Sequence, residues 1–135
     1  MQTRDPDHPA LRFAAQHDVD GFLGHERIAR ESPAYPPVVA LANVVISSET
    51  ESTAARDAAT IGDWLGRLVE SQGLGLAVLG PAPCPIARVQ RRWRWHILLK
   101  GATEEIGRVV RYAAPRSADL VKSRVVLDRD PTSLL

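Results

Sequence analysis

Residues 92–99 alternate strictly between two kinds of side chain, and this alternation restricts the fold of the whole chain. One parity is mainly basic and consists of Arg92, Arg94, His96 and Leu98. The other is apolar and consists of Trp93, Trp95, Ile97 and Leu99. Successive residues of a β-strand point to opposite faces of the sheet. The segment therefore predicts a strand with a basic stripe on one face and the core, including both indole rings, on the other.

The stripe is a local concentration of positive charge on a body of the opposite sign. Residues 88–100 hold four arginines and one lysine without any acid, whereas the whole chain has 17 basic and 16 acidic residues and a net charge of +1. A basic patch of this kind favours contact with phosphate groups. The residues alone leave two alternatives open, an acidic protein surface facing the stripe and a salt-bridged, functionless face.

The rest of the chain supplies the partners of this strand. Patterns rich in β-branched residues or bounded by turn residues predict strands over 38–47, 76–80 and 123–128. Residues 86–89 and 93–100 are predicted to be the two arms of a hairpin. PAPCP (81–85) is interpreted as a stiff connector. Apolar residues at helical spacing predict two helices. The first follows a capping box of Ser48 and Glu51 and ends at Gly73. The second is capped by Thr103 and is followed by a loop marked by Pro115 and Ser117.

This order of elements predicts the fold class. Strand, helix, strand, hairpin strand, helix and strand form an α+β, split βαβ (ferredoxin-like) antiparallel sheet with two helices on one face. Residues 10–31 are predicted to be helical and are broken near Asp18 to Gly21, and RESPAYPP (30–37) is predicted to be rigid and extended. We therefore expect a helical and proline-rich linker in 1–37 and the α+β domain in 38–135.

Several classes of site are excluded by what the sequence lacks. There is no GxxxxGK[ST] phosphate loop, and the single cysteine, Cys84, allows neither an internal disulfide nor a cysteine-based zinc site. The sequence supports no free-standing small enzyme. No apolar run reaches the roughly 20 residues of a membrane span, and the N-terminus does not have the pattern of a signal peptide. These features favour a cytoplasmic location without membrane contact.

Four segments together resemble one family. GPAPCPIARVQRRWRWHILLK (80–100) resembles the hallmark segment of the C-terminal domain of the primosomal protein N′ (PriA) family of replication-restart DNA helicases. AQHDVDGFLGHERIARESPAYPP (15–37) is similar to the family's linker, LDRDPTSLL (127–135) to its terminus, and QTRDPDHPAL (2–11) to the end of its second helicase lobe. His96 stands where glutamine is more usual, and Arg129 stands in place of an apolar residue.

The resemblance implies a function that composition does not. It implies that the chain corresponds to the last portion of an ATP-dependent 3′–5′ helicase that assembles the primosome at stalled forks. It also implies that the C-terminal domain has a ribosomal-protein-like fold. ATP, magnesium and zinc are implied only for the full-length protein, so this chain is expected to need no cofactor and to be inactive alone. The expected partners are forked or single-stranded DNA, the single-stranded-DNA-binding protein and the helicase lobes.

The candidate site residues fall into two groups. The DNA-binding group is Arg88, Arg91, Arg92, Arg94, His96 and Lys100. The partner-docking group is Arg108 and Arg111. The alternative function is a protein-interaction module that docks the single-stranded-DNA-binding protein or the helicase lobes without touching DNA.

Overall fold

The structure is a computed structural model that describes residues 5–31, 36, 39–132 and 134. These residues form two compact units, one within residues 1–38 and one within residues 39–135. The proline-rich segment 30–37 lies mostly outside the described residues, so its predicted extended conformation stays a prediction.

The first unit is a pair of helices, α1 (Pro9–Ala15) and α2 (Val19–Glu31). The Asp18 carboxylate accepts a hydrogen bond of 2.8 Å from the backbone N–H of Gly21, which satisfies one of the free donors at the start of α2. The ring of Phe13 in α1 lies 6.2 Å from that of Phe22 in α2. The predicted break near Asp18 is confirmed.

The second unit has four strands and two helices. In chain order they are β1 (Ala40–Ser48), α3 (Glu51–Ser71), β2 (Ala77–Val89), β3 (Arg92–Gly101), α4 (Thr103–Leu120) and β4 (Arg124–Arg129). The strand order is β2-β3-β1-β4, and all neighbours are antiparallel. Each helix therefore links two parallel strands that have a third strand between them. This is the split βαβ arrangement, and the predicted α+β fold is confirmed.

The core lies between the sheet and both helices. Its main contributors from the sheet are Ala42, Val44 and Ile46 of β1 with Ile97 and Leu99 of β3, all at most 1% exposed. They pack against the predicted apolar faces of the two helices, which are Ala58, Ile61 and Leu65 in α3 and Ile106, Val109 and Ala113 in α4. Alternate residues of β1 and β3 point to the opposite face, which carries no helix of this unit and is called the open face below.

Four local predictions of connectors, caps and loops are wrong. PAPCP (81–85) is no connector but part of β2, because β2 is an edge strand, where a missing proline N–H costs no ladder hydrogen bond, and its register shifts absorb the irregularity. Ser48 ends β1 instead of capping α3, whose N-cap is Thr50. Thr103 is the first residue of α4 and not its cap, since the N-cap is Ala102. Pro115 and Ser117 lie inside α4, where the buried stripe continues through Ser117.

Gly73 ends α3 as predicted. It follows the C-cap residue Gln72 and has φ +59°, a conformation in which a side chain would be strained. The chain then enters β2 through Leu76, which is buried in the core cluster.

The two tryptophans of β3 differ in environment, and this difference can be measured. Trp95 packs against the core, whereas Trp93 is half-buried beyond the core cluster with the Arg88 guanidinium 5.3 Å from its ring centre. We expect Trp95→Ala to lower the free energy of unfolding toward the lower end of roughly 3–5 kcal/mol, because the ring is partly exposed. Trp93→Ala, the matched control, should cost only about 1 kcal/mol. Urea unfolding of both variants measures this, and equal losses would contradict the assignment.

Asp57 joins α3 to the start of β4 and makes stability depend on pH. Its Oδ2 accepts hydrogen bonds from Ser123 Oγ (2.7 Å) and Ser123 N–H (3.1 Å). Burial by itself raises the pKa of the Asp57 carboxyl, but the Ser123 hydrogen bonds and the charge and hydrogen bond of Arg56 outweigh it and hold that pKa below its ordinary value. A depressed folded-state pKa stabilises the native state above the unfolded-state pKa, and this stabilisation is lost as pH falls through the folded-state value.

We therefore expect Asp57→Asn to lower the unfolding free energy at pH 7 by about 1.5–3 kcal/mol. The difference from the natural chain should begin to shrink below about pH 4, where the carboxyl of the unfolded chain protonates, and should be lost as pH falls through the lower folded-state pKa. Thermal melting between pH 7 and pH 3 measures this, with the exposed Asp63→Asn on the same helix as control. A difference that stays constant over that range would show that Asp57 does not act through its charge.

Candidate nucleic-acid interface

Strand pairing places the predicted basic stripe on the open face. Along β3, one set of alternating side chains points to the open face and includes Arg92, Arg94 and His96. The other set, which includes the buried Ile97, points to the core, as the sequence predicts. On the adjacent strands the same face displays Asn43, Val45 and Ser47 of β1 and Arg124, Val126 and Asp128 of β4.

One row across the sheet brings together two arginines from strands far apart in sequence. Ser47 pairs with Arg94 on one side and with Arg124 on the other, so the two guanidinium groups flank β1 on the same face. The nearest acid of this face on β4 is Asp128, four residues from Arg124 or about 13 Å along the strand. This end of the open face, formed by Arg92, Arg94 and Arg124, is called the arginine end below.

Arg92 is held more firmly than a surface arginine. Its Nη2 donates a hydrogen bond of 3.1 Å to the Ser47 carbonyl oxygen, and its Nη1 lies 3.9 Å from the exposed Glu49 carboxylate. Its Nε is buried without a hydrogen-bond partner. Arg92 therefore contributes to the local structure as well as to the positive charge.

His96 lies one row further along β3, opposite Val45. Burial, and then the positive charge of Arg94, lower the pKa of its imidazole. The ring is therefore neutral near pH 7, and its Nδ1 is buried without a hydrogen-bond partner. A neutral imidazole offers one donor and one acceptor and adds no charge to the stripe.

Two of the predicted residues, Arg88 and Arg91, lie at or beside the hairpin turn. Gln90 and Arg91 both have positive φ (48° and 65°), as a two-residue turn between twisted strands requires. Arg91 is exposed at this turn. Arg88 pairs with Trp93 and stacks on its ring, so it lies on the opposite face from Arg94. Arg88 and Arg91 line a groove at the turn together with Arg92 and Glu49, and neither lines the groove that holds Arg94 and Arg124.

Lys100 shares the open face but lies far from the arginines. It pairs with Leu41 and Ala77 at the other end of β3. Eight residues separate it from Arg92, or about 27 Å along a strand.

The two predicted partner-docking residues line a groove on the other side of the sheet. Arg108 and Arg111 of α4 lie beside Leu68 and Leu74 in a groove of about 490 Å³. Two residues that sequence reasoning missed, Tyr112 and Arg116, complete it. The Arg116 guanidinium lies 3.9 Å from the Tyr112 ring centre, a cation–π contact, and donates a hydrogen bond of 2.9 Å to the Tyr112 carbonyl. Cationic groups around an apolar floor fit an acidic peptide with an apolar side chain.

Sequence reasoning also missed Arg124 and Asn43 on the open face. The alternation of Arg124, Val126 and Asp128 indicates a shared face for those three residues, but only the register with β1 places Arg124 beside Arg94. Asn43 is an isolated amide in an apolar strand and gives no signal of its own.

Within the described ranges, no three histidine, cysteine, aspartate or glutamate side chains converge as metal ligands, and no helix is long and apolar enough to span a membrane.

The chain is similar to one group of replication proteins. It is 40% identical to the replication restart protein PriA of Treponema pallidum over 100 residues, and 34% identical to that of Bacillus subtilis over the same length. These alignments cover 74% of the chain but only 15% and 12% of the relatives. The PriA of Haemophilus influenzae is 29% identical over 140 residues, which cover 99% of the chain and 18% of that relative.

The family model described as the primosomal protein N C-terminal domain matches residues 31–132. This match includes the whole second unit up to the end of β4 and covers more than half of the chain. The chain therefore belongs to the family of primosomal protein N C-terminal domains.

Proposed function

We propose that the open face binds single-stranded or forked DNA through its arginine end. The observation that carries this proposal is the Arg94–Ser47–Arg124 row, in which two guanidinium groups flank one strand on a face that no helix of the unit covers. Guanidinium groups contact phosphates through several donors at once. In this proposal the domain helps a replication restart helicase to engage a stalled fork, while ATP hydrolysis belongs to parts of the longer protein outside this chain.

The apolar residues of the same face suit this proposal. Val45 and Val126 are direct neighbours across the sheet, and Val126 is 42% exposed. They lie one row from the arginines, so a DNA strand whose phosphates contact the arginine end can place its bases against this apolar surface. The face has no aromatic side chain among these residues, so we expect weak, salt-sensitive binding rather than tight stacking.

The salt dependence of binding tests the electrostatic part. We expect the chain to bind a short single strand with a dissociation constant on the order of micromolar or weaker at physiological salt. Three or four phosphate contacts should give a slope of log K against log salt of about −2 to −3. Fluorescence anisotropy at salt concentrations from about 50 to about 200 mM measures this slope, because phosphate contacts weaken strongly over that range. Binding that ignores salt over this range would contradict phosphate contact.

A charge reversal at the arginine end tests the location. Arg94→Glu with Arg124→Glu should leave the melting temperature nearly unchanged, since surface substitutions usually change stability by about 0.5 kcal/mol or less. It should abolish measurable binding, because two attractive contacts become repulsive. Arg92 is a poorer choice because its substitution also removes the hydrogen bond to Ser47. The matched control is Arg108→Glu with Arg111→Glu, which changes the charge equally on the other side of the sheet. Equal loss in both variants would locate binding elsewhere.

The groove between α3 and α4 supports a second function, docking of a protein partner. We propose that Arg108, Arg111 and Arg116 bind the carboxylates of an acidic peptide while Leu68 and Leu74 hold an apolar side chain. The acidic tail of the single-stranded-DNA-binding protein has this chemistry. The helicase lobes of the parent protein are the other expected partner.

The same two double variants separate the two functions. Arg108→Glu with Arg111→Glu should weaken binding of a synthetic acidic-tail peptide by at least about tenfold, as expected when two charge-assisted contacts are lost. Arg94→Glu with Arg124→Glu should bind that peptide as the natural chain does. Isothermal titration calorimetry measures both, with a peptide whose acids are replaced by amides as the ligand control. A peptide that binds the first variant at full affinity would exclude this groove.

A further inference from the structure

Three buried polar atoms without a hydrogen-bond partner share one face of the sheet. Among the described residues they are Asn43 Oδ1, Arg92 Nε and His96 Nδ1. The strand registers place all three residues on the open face. A buried polar atom that lacks its partner destabilises the native state. The open face therefore carries a cost that a suitable ligand would remove.

Asn43 is the informative member of this group. It is only 4% exposed, yet it lines a shallow groove of about 320 Å³ together with Arg92, Arg94 and Arg124. Its Oδ1 can only accept a hydrogen bond, so the missing partner must be a donor, an N–H or an O–H group. Phosphate alone has no such donor and leaves Asn43 unsatisfied, whereas Arg92 Nε needs an acceptor such as a phosphate or carbonyl oxygen. The ligand must carry both kinds of group.

The spacing along the strands matches the parts of a nucleotide. The arginine row, the row of Val45, His96 and Val126, and the row of Asn43 follow one another at intervals of two residues, or about 7 Å. Positive charge, a largely apolar row and a row with the Asn43 amide beside the Asp128 carboxylate therefore occur in the order in which a nucleotide presents phosphate, ring face and base edge. The protruding arginine side chains shorten the distance that the nucleotide has to cover.

We propose that the open face holds an unpaired base with an exocyclic amino group, in the first place adenine. Arg94 and Arg124 contact its phosphate, Val45 and Val126 lie against its ring, and Asn43 Oδ1 accepts a hydrogen bond from its amino group. Asparagine pairs with adenine in this manner, through the amino group and the adjacent ring nitrogen. This inference rests on the proposed DNA binding and adds base selectivity to it.

The test removes one amino group from the DNA and one amide from the protein. The ligands are two fluorescently labelled single strands, oligodeoxyadenosine and the same strand built from purine deoxyriboside, which lacks the amino group. We expect the 135-residue chain to bind the adenine strand roughly three- to tenfold more tightly, the value of one hydrogen bond. Asn43→Leu, which is similar in shape, should bind both strands equally and keep the salt dependence of the natural chain.

Stability and the arginine variant provide the controls. Asn43→Leu should melt at the natural temperature or above it, because it removes an unsatisfied buried group. If it fails to fold, the comparison of the two strands on the natural chain decides alone. Equal affinity of the natural chain for both strands, together with loss of binding in Arg94→Glu with Arg124→Glu, would overturn base selectivity and leave DNA binding intact. No binding of either strand by the natural chain would overturn both.

Discussion

The antiparallel pairing of β1 between β3 and β4 is the constraint on which the rest of the structure depends. It places Val44 beside Ile97 and Leu127 on the covered face and Ser47 beside Arg94 and Arg124 on the open face. A slip of one residue would exchange the two sets and bring charge into the core, so the buried aliphatic side chains fix the register. The positions of the arginines on the open face follow from that register.

The sequence predicts those features that local periodicity carries. The alternation over 92–99 gives the face of each side chain, and the order of strands and helices gives the split βαβ sheet. Two errors came from treating proline as a stop signal. The prolines of 81–85 are tolerated because β2 is an edge strand, and Pro115 is tolerated because Ala113 and Ser117 continue the buried stripe of α4. Tertiary packing outweighed the local preference in both places.

The composition of the site depends on information that a single sequence does not contain. Arg124 becomes relevant only through its register with Ser47, and Asn43 only because its amide oxygen is buried without a partner. Arg88, in contrast, is basic but lies on the wrong face, because the two-residue turn at Gln90 and Arg91 pairs it with Trp93. Neither pairing register nor hydrogen-bond satisfaction can be read from periodicity.

The second unit presents two cationic surfaces on opposite sides of one sheet. The arginine end suits a nucleic acid and the α3–α4 groove suits an acidic peptide, so in our proposal the domain can hold DNA and a protein partner at the same time. The chain spans 15% and 12% of the length of the relatives from Treponema pallidum and Bacillus subtilis, so any enzymatic role is a proposal about the longer protein. This separation of surfaces would let partner docking proceed without displacing DNA.

The central claim is that the open face is the DNA-binding surface, and an NMR titration tests it most directly. A ¹⁵N-labelled chain is titrated with a short single-stranded oligonucleotide while backbone amides, arginine Nε–H groups and the Asn43 side-chain amide are followed. Our account predicts that the largest shift changes fall on Arg94, Arg124 and Asn43 and that Arg108 and Arg111 change little. Large changes confined to the α3–α4 groove, with Arg94 and Arg124 unchanged, would contradict it.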